Sequence, residues 1–542
     1  MQASTVASAL DRASRAWPDR PFLSVLPRVS KLWGIEAQEV SFHQLYNLAI
    51  ELLLAYAAAG YGHGHRVGLV LDNRPSFFVH WFALNGLGVS VVPISSELRS
   101  LELEYCIGHS ELILLVAPAV RHSELRAAAQ AAGRTVAVME DGQMPPVAST
   151  EAPRKKESIG ENSECALLYT SGTTGKPKGC LLSNRYFLHA GIWYGNVGGL
   201  VSLRPCQERM LTPLPLVHMN AMAYSTMAML GTGGCLIMLD RFHPSTWWDD
   251  VREARATIVH YLGVMPAVLM KAPASPLDRA HTVRVGFGAG VDKTLHAAFE
   301  DRFGFPLLEA WAMTETGAGA VVMAHQEPRA VGSNCFGQEG PDVQIRLVAD
   351  DGSEAQPGEP AELLVRHAGV DPRFGFFSGY LKDHEETEKA WADGWFHTGD
   401  IVTRDASGLL HFIDRRKNVI RRAGENISAV EVEGVLNEHP LVQASAVAAT
   451  ADPLRGEEVL ACVVLKQAID ETQHLAVATE IVNHVLQRLS YFKAPGYVAF
   501  VDALPLTTSQ KIQRGTLKTW AAALPNEKSC VDIRSLKRRR SQ

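Results

Sequence analysis

The 542-residue chain has no run near the roughly 18 uninterrupted apolar residues that a membrane-crossing helix needs, and residues 1–18 show no signal-peptide core. A soluble, cytoplasmic protein without a membrane span is therefore expected. Metal-binding cysteine spacing is missing as well. Eight cysteines stand singly at 106, 165, 180, 206, 235, 335, 462 and 530, with no Cys-x-x-Cys pair and no matching histidine spacing for zinc. They read as buried thiols of a reducing compartment. Nor is there a strong charge of either sign. The net charge of −6 speaks against a general nucleic-acid binder, and the basic run at 537–540 reads as part of a solvated tail. No internal repeat is visible. What is present is ordinary globular material, 46% hydrophobic and 20% charged, long enough for two or three domains.

Helical spacing of apolar residues over 42–61 and 77–87 alternates with β-like runs at 66–71, 90–94, 112–116 and 135–139, and 123–132 is helix-compatible. That alternation marks a parallel sheet covered by helices. Residues 141–163 turn polar and proline-rich, as a surface connection does. Strand and helix signals resume at 236–239, 258–262 and 283–287 as a second layer of similar build, followed by β-rich sequence near 358–366 and 410–413. The expected fold is α/β, with a large N-terminal domain over 1–414 made of two layered α/β subdomains plus a β-rich subdomain. A hinge at 415–417 would lead to a small mobile α+β C-terminal domain over 418–522, and 523–542 would be a disordered basic tail.

The most informative stretch is Thr170-Ser171-Gly172-Thr173-Thr174-Gly175-Lys176-Pro177-Lys178-Gly179. It offers backbone amides freed by glycine, several hydroxyls and two ammonium groups within ten positions, which is what a phosphate cradle requires. The apolar run 165–169 places it at the end of a buried strand, where α/β proteins bind phosphates. The Walker pattern is absent, because Pro177 stands where Ser or Thr would follow the lysine. The loop instead resembles the signature of the adenylate-forming superfamily, which includes acyl-CoA and aryl-CoA ligases, luciferases and peptide-synthetase adenylation domains.

Five further segments resemble that superfamily in the same order, over roughly residues 10–520. Pro213-Leu-Pro-Leu-Val-His218 resembles the segment whose histidine lines the acyl pocket. Gly288-Ala289-Gly290-Val291 and Trp311-Ala312-Met313-Thr314-Glu315-Thr316 resemble the two segments that sandwich adenine and hold the triphosphate. Trp311 and Ala312 stand where the family has Tyr-Gly. The resemblance implies Thr314 on a phosphate and Glu315 as the Mg²⁺ ligand. It implies Asp400, in Trp395-Phe-His-Thr-Gly-Asp400, as acceptor of both ribose hydroxyls. In 414–427, Arg415 would contact ribose or phosphate, Lys417 would be the pivot, and Gly424 would meet the acyl centre after a rotation. Pro505-Leu-Thr-Thr-Ser-Gln-Lys511-Ile-Gln-Arg514 carries the adenylation lysine, with Gln510 in place of the family's glycine.

The implied activity is an AMP-forming acyl-CoA ligase. It would use ATP and Mg²⁺ to turn a small to medium carboxylic acid into an acyl-adenylate, then pass the acyl group to CoA as co-substrate. Within the superfamily the closest look is to bacterial ligases of the crotonobetaine/carnitine-CoA type, through His218-Met219-Asn220-Ala221, Arg415-Arg416-Lys417-Asn418 and Gly424-Glu425-Asn426-Ile427-Ser428. Met219, Met222, Met265 and Gly317 would help line the acyl pocket, and Glu309 would favour a cationic acid. A carrier-protein loader, a luciferase-like oxygenase and a non-catalytic nucleotide sensor share these motifs. Acid-dependent exchange of pyrophosphate with ATP and consumption of CoA separate them. Oligomerisation and the identity of the acid stay open.

Overall fold

Strands with no polar alternation form where both faces of a sheet are covered. Ser90–Pro93 and Leu114–Ala117 are buried at every position. The computed structural model describes residues 3–153, 158–170, 176–349, 351–415, 419–467, 469–505 and 512–538, the side chains of residues 264, 414 and 415 excepted. Among these, seven strands form a first sheet in the order Gly379–Tyr380, Lys178–Ser183, Glu164–Thr170, Ser90–Pro93, Arg66–Leu69, Leu114–Ala117 and Ala137–Glu140. All its pairings from Glu164–Thr170 to Ala137–Glu140 are parallel.

A second sheet of eight strands runs Val322–Met323, Leu307–Trp311, Val285–Gly288, Ile258–His260, Arg209–Thr212, Cys235–Met238, Pro21–Val25 and Gln38–Ser41. Its six central strands are parallel. Helices fill the space between the two sheets. Pro75–Gly86 is buried at Phe77, Phe78 and every position from His80 to Asn85, as expected of a helix enclosed on all sides. Trp81 has no exposed surface and meets Phe187 edge-on at 5.2 Å, while Phe78 meets Phe22 at 6.2 Å, so one core joins both layers. Phe42–Ala58 starts in a capping box: the Ser41 hydroxyl accepts the Gln44 amide and the Gln44 side chain accepts the Ser41 amide.

A five-stranded antiparallel sheet follows, Cys335–Gly337, Leu410–Arg415, Phe396–Arg404, Ala361–His367 and Val343–Val348. The last sheet belongs to a small C-terminal lobe. Its strands are Glu425–Ser428, Val419–Arg422, Gly456–Leu465, Tyr497–Phe500 and Cys530–Asp532, with Val442–Asp452 also pairing Gly456–Leu465. Side-chain alternation along Gly456–Leu465 splits its packing: Val459, Ala461 and Val463 enter one core, Leu460 and Cys462 another on the opposite face. The first core reaches Leu101 of the large lobe, and the second holds Leu504, Ile512 and Leu517.

The segment expected as a tail from 523 is instead built into this lobe as far as it is described, to Arg538. Cys530–Asp532 pairs antiparallel with Tyr497–Phe500, and Ile533 is 2% exposed. The Lys537 ammonium, inside the run expected to be solvated, is buried against Glu458 and the Phe492 carbonyl. Glu458 also takes the Arg422 guanidinium at 2.8 Å. One carboxylate thereby bonds both Arg422 and Lys537, from opposite ends of the lobe, with burial pushing the lysine pKa down to about 7. Deleting residues 528–542 removes the edge strand Cys530–Asp532 and the buried Ile533 and is expected to destabilise the small lobe by about 2–5 kcal/mol, the range for losing one buried aliphatic side chain. Urea unfolding checks this, and an unchanged midpoint would return the segment to the status of a tail.

Candidate active site

The strands Glu164–Thr170 and Lys178–Ser183 form a hairpin in which Thr170 faces Lys178 and Tyr169 faces Gly179. The chain thus comes back as a strand where a Walker loop would enter a helix, in keeping with Pro177. Ser171, Gly172, Thr173, Thr174 and Gly175 lie outside the described residues. At the exit of the loop, Tyr105 donates to the Pro177 carbonyl at 2.9 Å and carries the Lys176 ammonium 5.7 Å above its ring. Lys178 pairs with Glu386 at 2.5 Å and lies 4.7 Å over the Tyr380 ring. Its hydrogen bond holds the Glu386 carboxyl below the usual range.

Glu315 is 7% exposed, and its Oε1 accepts the Tyr380 hydroxyl at 2.9 Å. No described residue hydrogen-bonds Oε2. Thr314 is fixed through its carbonyl, which accepts from the buried Tyr186 hydroxyl at 2.9 Å. Among the described residues no group of three or more His, Cys, Asp or Glu could hold a metal. One carboxylate oxygen is what a Mg²⁺ ion needs when phosphate and water oxygens complete its shell, so the site fits such an ion shared with a polyphosphate.

Trp311 ends the strand Leu307–Trp311, and its indole N–H donates to Asp400 Oδ2 at 2.9 Å. Both are buried, at 6% and 2% exposure. The residues that the sequence assigned to adenine and to ribose are therefore in direct contact, with Ala312 next in the chain. Arg421 of the small lobe approaches Asp400 Oδ1 at 3.8 Å and lies 4.6 Å over Phe412, and the register sets Arg415 opposite Asp400. The Arg415 side chain and all of Lys417 lie outside the described residues. Arg421 and Arg422 are neighbours on the strand Val419–Arg422. On a strand their side chains point to opposite faces, so Arg421 reaches Asp400 while Arg422 goes to Glu458.

Glu309 has a structural task that its sequence position did not announce. Both of its oxygens accept backbone amides, from Gly290 at 2.9 Å and Val291 at 2.7 Å. Its carboxylate thus props the loop Gly288-Ala289-Gly290. Burial raises its pKa. The loop must be glycine-rich because a Cβ on Gly288 would come 2.3 Å from the Tyr261 carbonyl, and one on Gly263 would come 1.6 Å from the Gly290 carbonyl. Backbone packs on backbone at the ends of these two strands.

His218 stands at the other wall, 47% exposed, with Nε2 3.7 Å from the Glu425 carboxylate of the small lobe. Gly424, at φ +91°, meets Leu262: a Cβ there would come 2.2 Å from Leu262 Cδ1. The hairpin between Val419–Arg422 and Glu425–Ser428 is therefore seated on the mouth of the cleft. A second contact fixes the lobe. Lys493 bonds Glu102 of the large lobe at 2.7 Å and Glu431 at 2.8 Å, and Ser490 donates to Glu102 at 2.9 Å. Sequence reading missed Glu425, Leu262, Glu102, Lys493 and Tyr380, since each matters only through a partner distant in the chain. The adjacency of Glu425 to Gly424 was the one available signal. Lys511 lies outside the described residues.

Models of two families match the chain, "AMP-binding enzyme" over residues 10–381 and "AMP-binding enzyme C-terminal domain" over 431–511. The chain is 30% identical over 520 residues to the sulfoacetate–CoA ligase of Cupriavidus necator, covering 94% of this chain and 96% of that one. It is 30% identical over 483 residues to the crotonobetaine/carnitine–CoA ligase of Shigella flexneri, covering 85% and 89%. Among solved structures, the o-succinylbenzoate CoA synthetase of Bacillus subtilis bound with a product analogue aligns at TM-score 0.78 and 23% identity, covering 94% and 98%. With its acyl-adenylate intermediate, the same enzyme aligns at TM-score 0.64 and 24% identity, covering 94% and 97%.

The geometry gives two expected outcomes. Replacing Trp311 with Phe keeps a flat ring but removes the donor to Asp400, and should cost about 1–3 kcal/mol of nucleotide affinity, read by calorimetry. The second concerns pH. Desolvation lowers the His218 pKa, the Glu425 charge raises it by more, and the net shift is upward from 6.5. The contact between hairpin and cleft is then complete below pH 6.5 and is lost as pH rises through the raised value. Small-angle scattering across that window should show the seated arrangement favoured at the acid end. The Glu425→Gln variant should be pH-independent, and the effect should be small because solvent screens a half-exposed pair.

Proposed function

As the chain belongs to the AMP-binding enzyme family, we propose that it is an AMP-forming acyl-CoA ligase that activates a small to medium carboxylic acid with ATP and delivers it to CoA. The carrying observation is the seating of Gly424 against Leu262 and of Glu425 beside His218, which puts the small lobe on the cleft where an acyl group would lie. The acids in the relatives' names, sulfoacetate, crotonobetaine and carnitine, are small, in keeping with this range.

The loop from Thr170 to Lys178 takes the phosphates, Thr314 adds a contact to them, and Asp400, held by Trp311, accepts the ribose hydroxyls. Mg²⁺ bound through Glu315 would neutralise the departing pyrophosphate. The acid's carboxylate enters beside His218, and one carboxylate oxygen attacks the α-phosphorus. Two anions at about 4 Å repel by roughly 4 kcal/mol at an effective dielectric of 20. The Lys511 ammonium, held between them, reverses that sign and stabilises the charge that develops in line. Pyrophosphate leaves. In the second step the CoA sulfur attacks the acyl carbonyl carbon, the C–S bond forms, and the C–O bond to AMP breaks.

One pose of the small lobe does not serve both steps. Leu504 and Ile512, which flank the lysine's segment, pack on the face of the small sheet opposite the core that meets the large lobe. A turn of the lobe about the region of Lys417 exchanges Lys511 for the Gly424 hairpin. The unpaired cysteines suit a reducing, cytoplasmic location, and no helix among the described residues is long and apolar enough to cross a membrane.

Paired variants test the two poses. Lys511→Ala should abolish acid-dependent exchange of pyrophosphate with ATP while sparing thioester formation from supplied acyl-adenylate. Gly424→Ala should do the reverse, keeping exchange and losing about 100-fold in the CoA step, because its methyl group collides with Leu262. Equal loss of both half-reactions in either variant would refute the exchange of poses, and an acceptor carrier protein in place of CoA would show as AMP release without CoA consumption.

A further inference from the structure

Below the acyl side of the cleft runs a buried polar chain that the mechanism above does not use. His260, at the end of the strand Ile258–His260, has no exposed surface, and its Nε2 lies 3.0 Å from the Tyr194 hydroxyl. Its Nδ1 faces two oxygens, Asn220 Oδ1 at 2.7 Å and Ser225 Oγ at 2.9 Å. Burial holds the imidazole pKa down to about 3, so the ring is neutral and carries a single N–H. The Ser225 hydroxyl donates to the Asn220 carbonyl at 3.2 Å, which leaves its oxygen to accept. The consistent assignment puts the proton on Nδ1, shared by two acceptors, with Nε2 accepting from Tyr194. Rings lock the arrangement: Tyr194 stacks on His260 at 5.8 Å, and Phe287 lies 4.8 Å from it.

The consequence falls on Asn220. Its oxygen is bonded back into the core, so its Nδ2 group, with two N–H donors, is left to the open side of a partly exposed residue. That residue lies two positions after His218, at the start of the helical turn that forms the acyl wall, while its neighbours Ala221 and Met222 are fully buried. Glu309 accepts the Gly290 and Val291 amides of the glycine loop.

We propose that Asn220 determines acid specificity by donating from Nδ2 to an oxygen acceptor carried by the acyl group, and that His260 is the positioning residue that fixes the carboxamide's orientation. This rests on the ligase reading. The substrate class follows: a short acid bearing a sulfonate, hydroxyl or carbonyl oxygen beyond its carboxylate. A site built around a fixed donor rejects the analogue that lacks the acceptor, because the donor is then stranded.

Acid-dependent exchange of pyrophosphate with ATP tests this, using 3-sulfopropanoate, 3-hydroxypropanoate and butanoate as matched probes. The readout is the ratio of kcat/KM between an oxygenated acid and butanoate within each protein, which cancels losses of folded enzyme. The wild type should favour at least one oxygenated acid by tenfold or more. Asn220→Leu should bring the ratio to near one, and Asn220→Asp, which replaces donors with acceptors, should lower it below one for the sulfonate. His260→Leu should also collapse the ratio, while His260→Gln, which can still donate to Asn220, should restore most of it. A wild type without preference, or an Asn220→Leu protein that keeps it, overturns the proposal while leaving the ligase reading in place. No exchange with any acid overturns both.

Discussion

The small lobe meets the cleft most closely at residue 424, where the absence of a side chain and a left-handed backbone let the hairpin turn against the wall. Gly424 holds φ +91° and touches Leu262, a position in which any Cβ would overlap the leucine. On the same hairpin Glu425 comes within 3.7 Å of His218 and Arg421 within 3.8 Å of Asp400, while Lys493 and Ser490 hold the lobe to Glu102 at a second point. The hairpin is stiffened from behind. Arg422 is held by Glu458, and Glu458 is held by Lys537 from the far end of the chain. This shared carboxylate ties the C-terminal segment to the hairpin at the mouth of the cleft, and burial pushes the Lys537 pKa down to about 7.

The nucleotide side depends on a different economy of donors. Trp311, the residue expected beside adenine, has an N–H, and that N–H is used on Asp400. The residue expected at the base and the one expected at the sugar are thereby mechanically joined. Glu309 plays the matching role for the glycine loop, where two amides that would otherwise be stranded find one carboxylate. In both places a charged or polar side chain serves the shape of the site and leaves the ligand contacts to backbone and neighbouring groups. The same logic runs through His260, whose neutrality in the core makes Asn220 a donor with a fixed direction.

Much of the fold was legible in order and periodicity. The runs near 66–71, 90–94 and 112–116 appear as adjacent parallel strands, because strands covered on both sides must be apolar at every position. The last segment was misread because a cluster of lysine and arginine is usually solvated, and nothing local tells that Glu458 waits for Lys537. The structural task of Glu309 was hidden for a related reason: only the path of the Gly288–Val291 backbone shows which amides its oxygens accept.

The sequence by itself determined which chemical groups are available and in what order: a glycine-rich loop with two lysines, a carboxylate after Thr314, an aspartate after Gly399, and a glycine at 424. These follow from residue identity alone, since backbone freedom and side-chain chemistry are local properties. Tertiary structure decided their partners. Whether Trp311 meets Asp400, whether Arg421 and Arg422 part to opposite faces, and whether Gly424 reaches Leu262 depend on contacts between elements far apart in the chain. Such contacts are fixed by the joint packing of two lobes, and no local pattern encodes them.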